Sequence, residues 1–194
     1  MHVVTSRSLF ALVSSIAAIA WLPGCAVDSA SIQITERPNT LETRRYQETF
    51  DEAFYDLSPS GNLCLVFRKR QPAGRQGREL TQTIVVESLW RSLPGVTIAH
   101  STQINAIVTY GLAGEQLVQT LSGAGSVFFE QNDAGDRLTG TLPHVTLESK
   151  STAMGDGFLQ RVELCGEFSA RRDSFQALRI ANETKRLHQA AAAK

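Results

Sequence analysis

The chain has 194 residues with 19 basic and 19 acidic side chains, and 42% of it is hydrophobic. That balance excludes a global electrostatic attraction to nucleic acid or to anionic surfaces. The length suits one domain with a core of its own, and three cysteines are too few for a disulfide-dense scaffold.

Residues 1–24 come first in chain order. They carry Arg7 near the start, an apolar stretch from Leu9 to Leu22 interrupted by Ser14 and Ser15, and small residues before Cys25. These are the parts of an export signal, and the stretch is shorter than the roughly 20 apolar residues that a membrane span needs. Leu22-Pro23-Gly24-Cys25 resembles the lipobox of bacterial lipoproteins, with an aliphatic residue three before the cysteine and a small one directly before it. Pro23 departs from the small or β-branched residue usual at its position. The resemblance implies that residues 1–24 are removed and that the Cys25 sulfur takes a diacylglycerol and becomes the new N-terminus. Acyl chains of the palmitate kind contribute about 0.8 kcal/mol per buried methylene, so two or three of them hold where one does not. The competing reading is ordinary cleavage after Ala26, which discards Cys25. Ala26 stands where aspartate marks inner-membrane retention in many Gram-negative relatives of this class. In such an organism the resemblance therefore implies the periplasmic face of the outer membrane.

Val27 to Asn39 is polar and reads as a tether, so residues 25–40 are taken as lipidated N-terminus and tether, and 41–194 as a single globular domain. In Leu41–Leu57, the residues Tyr46, Phe50, Phe54 and Leu57 recur about every four, which fits one amphipathic helix or an irregular segment laid across the domain. Leu63–Phe67 is a short buried strand. Glu79–Leu93 has a strand-like centre, Ile84-Val85-Val86, but the spacing of Leu80, Ile84, Val86, Leu89, Trp90 and Leu93 before Pro94-Gly95 predicts a helix. Thr97–Gly111 then becomes a second strand, parallel to the first across a right-handed crossover. The following segments flank the turn sequence Asn132-Asp133-Ala134-Gly135 as a hairpin, and Gly155-Asp156-Gly157 precedes a last strand over Phe158–Arg171. Asp173 or Ser174 caps a final helix with Phe175, Leu178, Ala181 and Leu187 on its apolar face, and an alanine-rich tail frays. The expected fold is α+β: one mostly antiparallel sheet with a crossover helix and a C-terminal helix, the alternative being an all-β sandwich. This order also resembles, in arrangement alone, the auxiliary lipoproteins that accompany lipid-handling ABC transporters. It implies an accessory in envelope transport or assembly and carries over no functional residue.

Once Cys25 is lipidated or removed, Cys64 and Cys165 form an even pair in an oxidising compartment. A disulfide closing a loop of about 100 residues contributes near 4.7 kcal/mol in the chain-entropy model; two buried free thiols are the alternative. Neither cysteine has a histidine or cysteine at metal-ligand spacing, and no metal or cofactor is expected. There is no G-x-S-x-G elbow, no H-E-x-x-H pair and no glycine-rich nucleotide fingerprint. Gly123-Ala124-Gly125-Ser126 lacks the Gly-Lys-Ser/Thr ending of a phosphate loop and reads as a bend. His100 and His144 read as hydrogen-bonded strand residues, and Asp133, Asp136 and Asp156 as turn formers rather than calcium ligands. Arg68, Lys69, Arg70, Arg75 and Arg78 crowd one stretch, either as an anion-binding loop for lipid head groups or an acidic partner, or as a solvated loop neutralised by Glu48, Asp51, Glu52 and Asp56. The expected protein is a lipid-anchored, periplasm-facing accessory that binds a membrane, lipid or envelope-protein partner and no nucleic acid. An envelope-polymer hydrolase and a ligand-free spacer are the alternatives.

Overall fold

The computed structural model describes residues 28–37, 43–71, 79–89, 104–114, 117–149 and 159–192. Its strands are β1 (Ser29–Arg37), β2 (Arg44–Phe50), β3 (Glu52–Leu57), β4 (Leu63–Gln71), β5 (Leu80–Ser88), β6 (Ala106–Gly114), β7 (Val118–Gly125), β8 (Phe128–Gln131), β9 (Arg137–Ser149) and β10 (Arg161–Arg172), followed by helix α1 (Ser174–Ala192).

All ten strands belong to one sheet. β2 and β3 form one stave bent at Asp51, pairing with β1 through its first half and with β4 through its second. β7 and β8 likewise share β9 on either side of a break at Ser126–Val127. The order then runs antiparallel from each stave to the next, and β10 closes the ring by pairing with both β9 and β1. Past the start of β1, the end of β10 meets β3 directly and in parallel. The result is an up-and-down barrel, which removes the unpaired edges that an open sheet presents.

Alternation along the strands decides what lies inside. Ala30, Ile32 and Ile34 of β1, Leu63, Leu65 and Phe67 of β4, and Ile84 and Val86 of β5 point inward and are fully or almost fully buried. Phe50, Tyr55, Phe168 and the inward residues of β6 to β9 complete one continuous core. Each large apolar side chain buried this way contributes about 1.5–3 kcal/mol. Phe67 lies between Phe50 and Phe168, with ring centroids 6.4 and 5.3 Å away. Two features let the wall curl. On β9, Pro143 and His144 oppose the single residue Cys165, a bulge that accommodates a proline within a paired strand. On β10, Gly166 passes so close to β1 that a Cβ there would stand 2.2 Å from the Ser31 carbonyl oxygen. The β8–β9 hairpin turns at Asn132–Asp136, where Gly135 has φ 68° and the Asn132 side chain accepts from the Asp136 and Arg137 amides.

Helix α1 lies on the outside, capped by Asp173, whose Oδ1 accepts from the Gln176 amide at 3.0 Å. It buries Ala177, Ile180 and Ala181 against the outward residues Phe54, Cys64, Val66 and Val85, a second and smaller apolar cluster. Further along, Lys185 Nζ donates to Glu87 on β5 at 2.7 Å, and His188 Nδ1 lies 2.8 Å from Thr120 Oγ1 on β7.

Several expectations are corrected. The α+β fold with a crossover helix does not form: the core of 79–93 is strand β5, antiparallel to β4 and β6, and the described residues make a β-rich barrel with one helix. The tether expected over 25–40 contains β1, a strand paired on both sides. The segment 41–57 supplies β2 and β3 rather than a helix. Cys64 and Cys165 are both free. Cys64 sits opposite Asp56 of β3, whereas Cys165 lies on β10 well before Arg171, the residue that meets Phe54 of β3. Along the strand direction they are about 25 Å apart at roughly 3.3 Å per residue, beyond the ~7 Å that a disulfide spans.

Candidate functional site

The loops divide between the two ends of the barrel. The start of β1 lies at one end, the N-terminal one, which also holds the turns 58–62 and 132–136, the end of β5, the start of β6 and the start of α1. Arg37, Arg44, Gln71, Leu80, Gly114, Val118, Ser149 and Arg161, the opposite ends of their strands, mark the other, distal end.

Near the distal end the inward positions change character. The apolar core gives way to Glu36 of β1, Tyr46 and Glu48 of β2, Lys69 of β4, Gln82 of β5 and Tyr110 of β6. Each holds an inward place in the alternation, and five strands deliver them to one location. Tyr46 Oη donates to Glu36 Oε1 at 2.5 Å, Tyr110 Oη donates to Gln82 Oε1 at 3.0 Å, and Lys69 Nζ pairs with the Glu48 carboxylate. Beside them, Gln119 of β7 accepts from the Leu159 amide at 3.0 Å and donates to its carbonyl. Gln82, Tyr110 and Gln119 are buried, whereas Tyr46, Glu48 and Lys69 are partly open. The cluster therefore grades from the core to solvent.

Its electrostatics follow from burial beside carboxylates. Burial, then the hydrogen bond to Glu36, raises the Tyr46 phenol well above the usual tyrosine range, with Glu48 adding to the effect. Burial and then the field of Glu36 raise Tyr110 in the same direction. Both phenols are thus held neutral as hydroxyl donors, Tyr46 to the Glu36 carboxylate and Tyr110 to the Gln82 amide oxygen. A group of convergent polar side chains with displaced ionisation, at the mouth of an apolar barrel, has the chemistry of a small-molecule binding site.

A second concavity lies outside, between α1 and strands β4 to β6. It measures about 230 Å³ and is lined by Arg68, Arg70, Thr81, Thr83, Glu183 and Thr184 among others. Arg68 points outward beneath α1 with its side chain 7% exposed. It donates Nε to Glu52 Oε2 at 2.7 Å and reaches Glu183 at 3.9 Å, so this groove is braced by an ion-pair network.

The basic stretch expected to bind anions is divided by the strand alternation. Arg68 is committed to Glu52 outside the barrel and Lys69 to Glu48 inside it. Arg70 is exposed, 3.9 Å from Glu52. Arg75, Arg78 and the lipid-attachment residue Cys25 lie outside the described residues. Cys165 is on the outer wall with its Sγ 3.6 Å from Gln33 Oε1. Burial and the nearby Glu87 push the Cys64 thiol up to about 12. Among the described residues no three metal-ligating side chains converge, and no helix is long and apolar enough to cross a membrane.

Sequence reasoning did not single out Glu36, Tyr46, Gln82 or Tyr110 as site residues. The available signal was a polar residue at an inward position of an otherwise apolar alternation: Gln82 before Ile84 and Val86, Tyr110 between Val108 and Leu112. No known protein family matches the chain, and no curated protein or solved structure shows significant similarity to it.

Proposed function

We propose that the chain is a lipid-anchored lipoprotein of the bacterial envelope, facing the periplasm, that binds a small polar molecule at the distal mouth of its barrel. It acts as a non-enzymatic accessory in envelope transport or assembly. The observation that carries this reading is the convergence of Glu36, Tyr46, Glu48, Lys69, Gln82 and Tyr110 near the distal end of an apolar barrel. Carboxylates, phenols, an amide and an ammonium together offer both donors and acceptors to a hydroxyl- or amine-bearing ligand. The lipobox-like Leu22-Pro23-Gly24-Cys25 supports the anchor and, with Ala26 after it, the outer-membrane address. The anchor would sit at the end opposite the mouth, leaving the mouth open to the periplasm.

Two measurements test this. Cys25→Ser should abolish acyl labelling and release the protein from membranes; unchanged membrane fractionation rejects the anchor. Native mass spectrometry of the protein extracted gently from envelopes should show a bound small molecule that is lost in Glu48→Gln and in Tyr46→Phe. A ligand-free wild type, or a ligand retained by both variants, rejects binding at the mouth.

A further inference from the structure

Exposed large apolar side chains are unevenly placed. Among the described residues they are Leu89, Ile104, Ile107, Val118, Phe175 and Leu178, and all but Val118 belong to the end of the barrel where the N-terminus enters. Leu89 follows β5, with its amide bonded to the Asn105 carbonyl at 2.8 Å. Ile104 and Ile107 flank the start of β6. On the other side of the same end, Phe175 is 72% exposed and Leu178 47%, standing one helical turn apart at the start of α1, on the face turned away from the barrel.

Asp28, just before β1, is held beside them. Asp28 lies 3.1 Å from Arg137 and 3.7 Å from Arg171, and the Arg171 guanidinium is 4.9 Å from the centre of the Phe54 ring. Arg171 is the penultimate residue of β10, three residues before α1 begins. The three residue steps from Cys25 to Asp28 span at most about 11 Å. A lipid on Cys25 therefore holds this end against the membrane, with no long tether to let the domain stand away from it.

We propose that the N-terminal end of the barrel rests on the bilayer, with Phe175 and Leu178 of α1 and the rim residues Leu89, Ile104 and Ile107 entering the boundary between head groups and acyl chains. This rests on the lipidation of Cys25. Side chains in such a position bury their apolar surface to a depth of about 5–10 Å. The exposed Arg172 and the partly exposed Arg171 sit at head-group level, where their stems follow apolar surface while their charges stay wet. Asp133, Asp136 and Asp173 belong to the same end, so its charge is mixed and the apolar contacts dominate. The surface is an orienting one: it directs the distal polar cluster of Glu36, Tyr46, Glu48 and Lys69 away from the membrane.

The test uses the full-length protein, expressed with its leader and reconstituted in vesicles of phosphatidylethanolamine and phosphatidylglycerol, some carrying nitroxide-labelled acyl chains. In a Cys165→Ser background, a bimane probe is attached at Leu178→Cys or, for comparison, at the equally exposed distal site Val118→Cys. Acylation of Cys25 is read independently by mass and by vesicle flotation. Severalfold stronger quenching at 178 than at 118 is the expected result. Equal quenching at the two sites in protein that floats and carries its lipid overturns the orientation while leaving the anchor intact. An unacylated Cys25 that does not float overturns both. A second variant, Phe175→Ser with Leu178→Ser, should keep the wild-type unfolding midpoint and lose the shielding of the membrane-facing end from proteolysis; unchanged shielding also counts against the proposal.

Discussion

Tyr46 and Glu36 are diagonal neighbours across the β1–β2 ladder, where Tyr46 pairs with Ile34 and Glu36 with Arg44, and the phenol donates to the carboxylate at 2.5 Å inside the barrel. Nothing local in the sequence joins them. The strand register turns two inward polar residues into a buried donor–acceptor pair, and such a pair costs more to break on one side than to omit entirely.

Tyr46→Phe should therefore lower stability at neutral pH by about 1–2 kcal/mol, and it should also change the response to alkali. The folded state raises the ionisation of both Tyr46 and Tyr110. The stability contributed by keeping these phenols neutral is fully present below the ordinary tyrosine pKa of about 10 and is lost as pH rises above it. Urea midpoints measured between neutrality and strong alkali should fall less steeply for the variant than for the wild type. Parallel curves would show that Tyr46 does not titrate with folding.

The Arg68–Glu52 pair provides a second test, on the outer wall. Arg68 is nearly buried under α1, so Arg68→Ala leaves Glu52 facing a desolvated gap and loosens the contact with Glu183. The cost should be about 3 kcal/mol, at the lower end for a broken buried pair because Glu52 keeps some solvent. Replacing both partners, Arg68→Met with Glu52→Leu, should cost much less, since no unpaired charge remains. Equal losses in the single and double variants would contradict this account.

How far the sequence foretold these features depends on which face of each element the rest of the chain covers. The short apolar run Leu63–Phe67 and the Asn132–Gly135 turn were legible because they depend on local chemistry. β5 was not: Val85 points outward, but α1 covers it, so the strand has apolar residues on both faces at its centre and imitates a helical spacing. β1 alternates Ala30, Ile32 and Ile34 with polar residues, but three modest apolar side chains in a polar stretch suggest a tether until their strand partners are known. In α1 the reading held for Ala181, which is buried, and failed for Phe175 and Leu178, which are exposed. The helix lies close to the sheet through Ala177, Ile180, Ala181 and Thr184, and its larger residues Phe175 and Leu178 are left outside, so hydrophobicity alone misplaced these two. The mouth cluster was hidden for another reason: its members come from five strands, and only barrel closure brings them together.

The two cysteines should behave as chemically different thiols. Cys64 is packed beneath α1, with burial and Glu87 pushing it up to about 12, and the thiolate is the reactive form. Cys165 lies on the outer wall and is partly exposed. A maleimide added to the folded, mature protein at neutral pH should modify Cys165 readily and Cys64 only after unfolding. Non-reducing peptide mapping after oxidative folding should find no peptide pair joined through them. A recovered Cys64–Cys165 pair would refute the strand order as well as the thiol assignment.

Barrel curvature makes the last prediction, a ranking of two glycine substitutions. At Gly166 an added Cβ would meet the Ser31 carbonyl oxygen at 2.2 Å and the Ile32 Cα at 2.8 Å, both backbone atoms of the strand that closes the ring. Neither can move without breaking β1–β10 pairing, so Gly166→Ala should cost about 3 kcal/mol, at the upper end for overpacking. At Gly111, on the outer wall, the nearest atom is the Thr184 methyl at 3.3 Å, a side-chain contact that a small shift of α1 relieves. There the gain from a stiffer unfolded chain, about 0.4–1 kcal/mol where the backbone is compatible, offsets the crowding. Thermal unfolding should place Gly166→Ala far below the wild type and Gly111→Ala close to it. The reverse order would mean that closure between β1 and β10 is looser than this register requires.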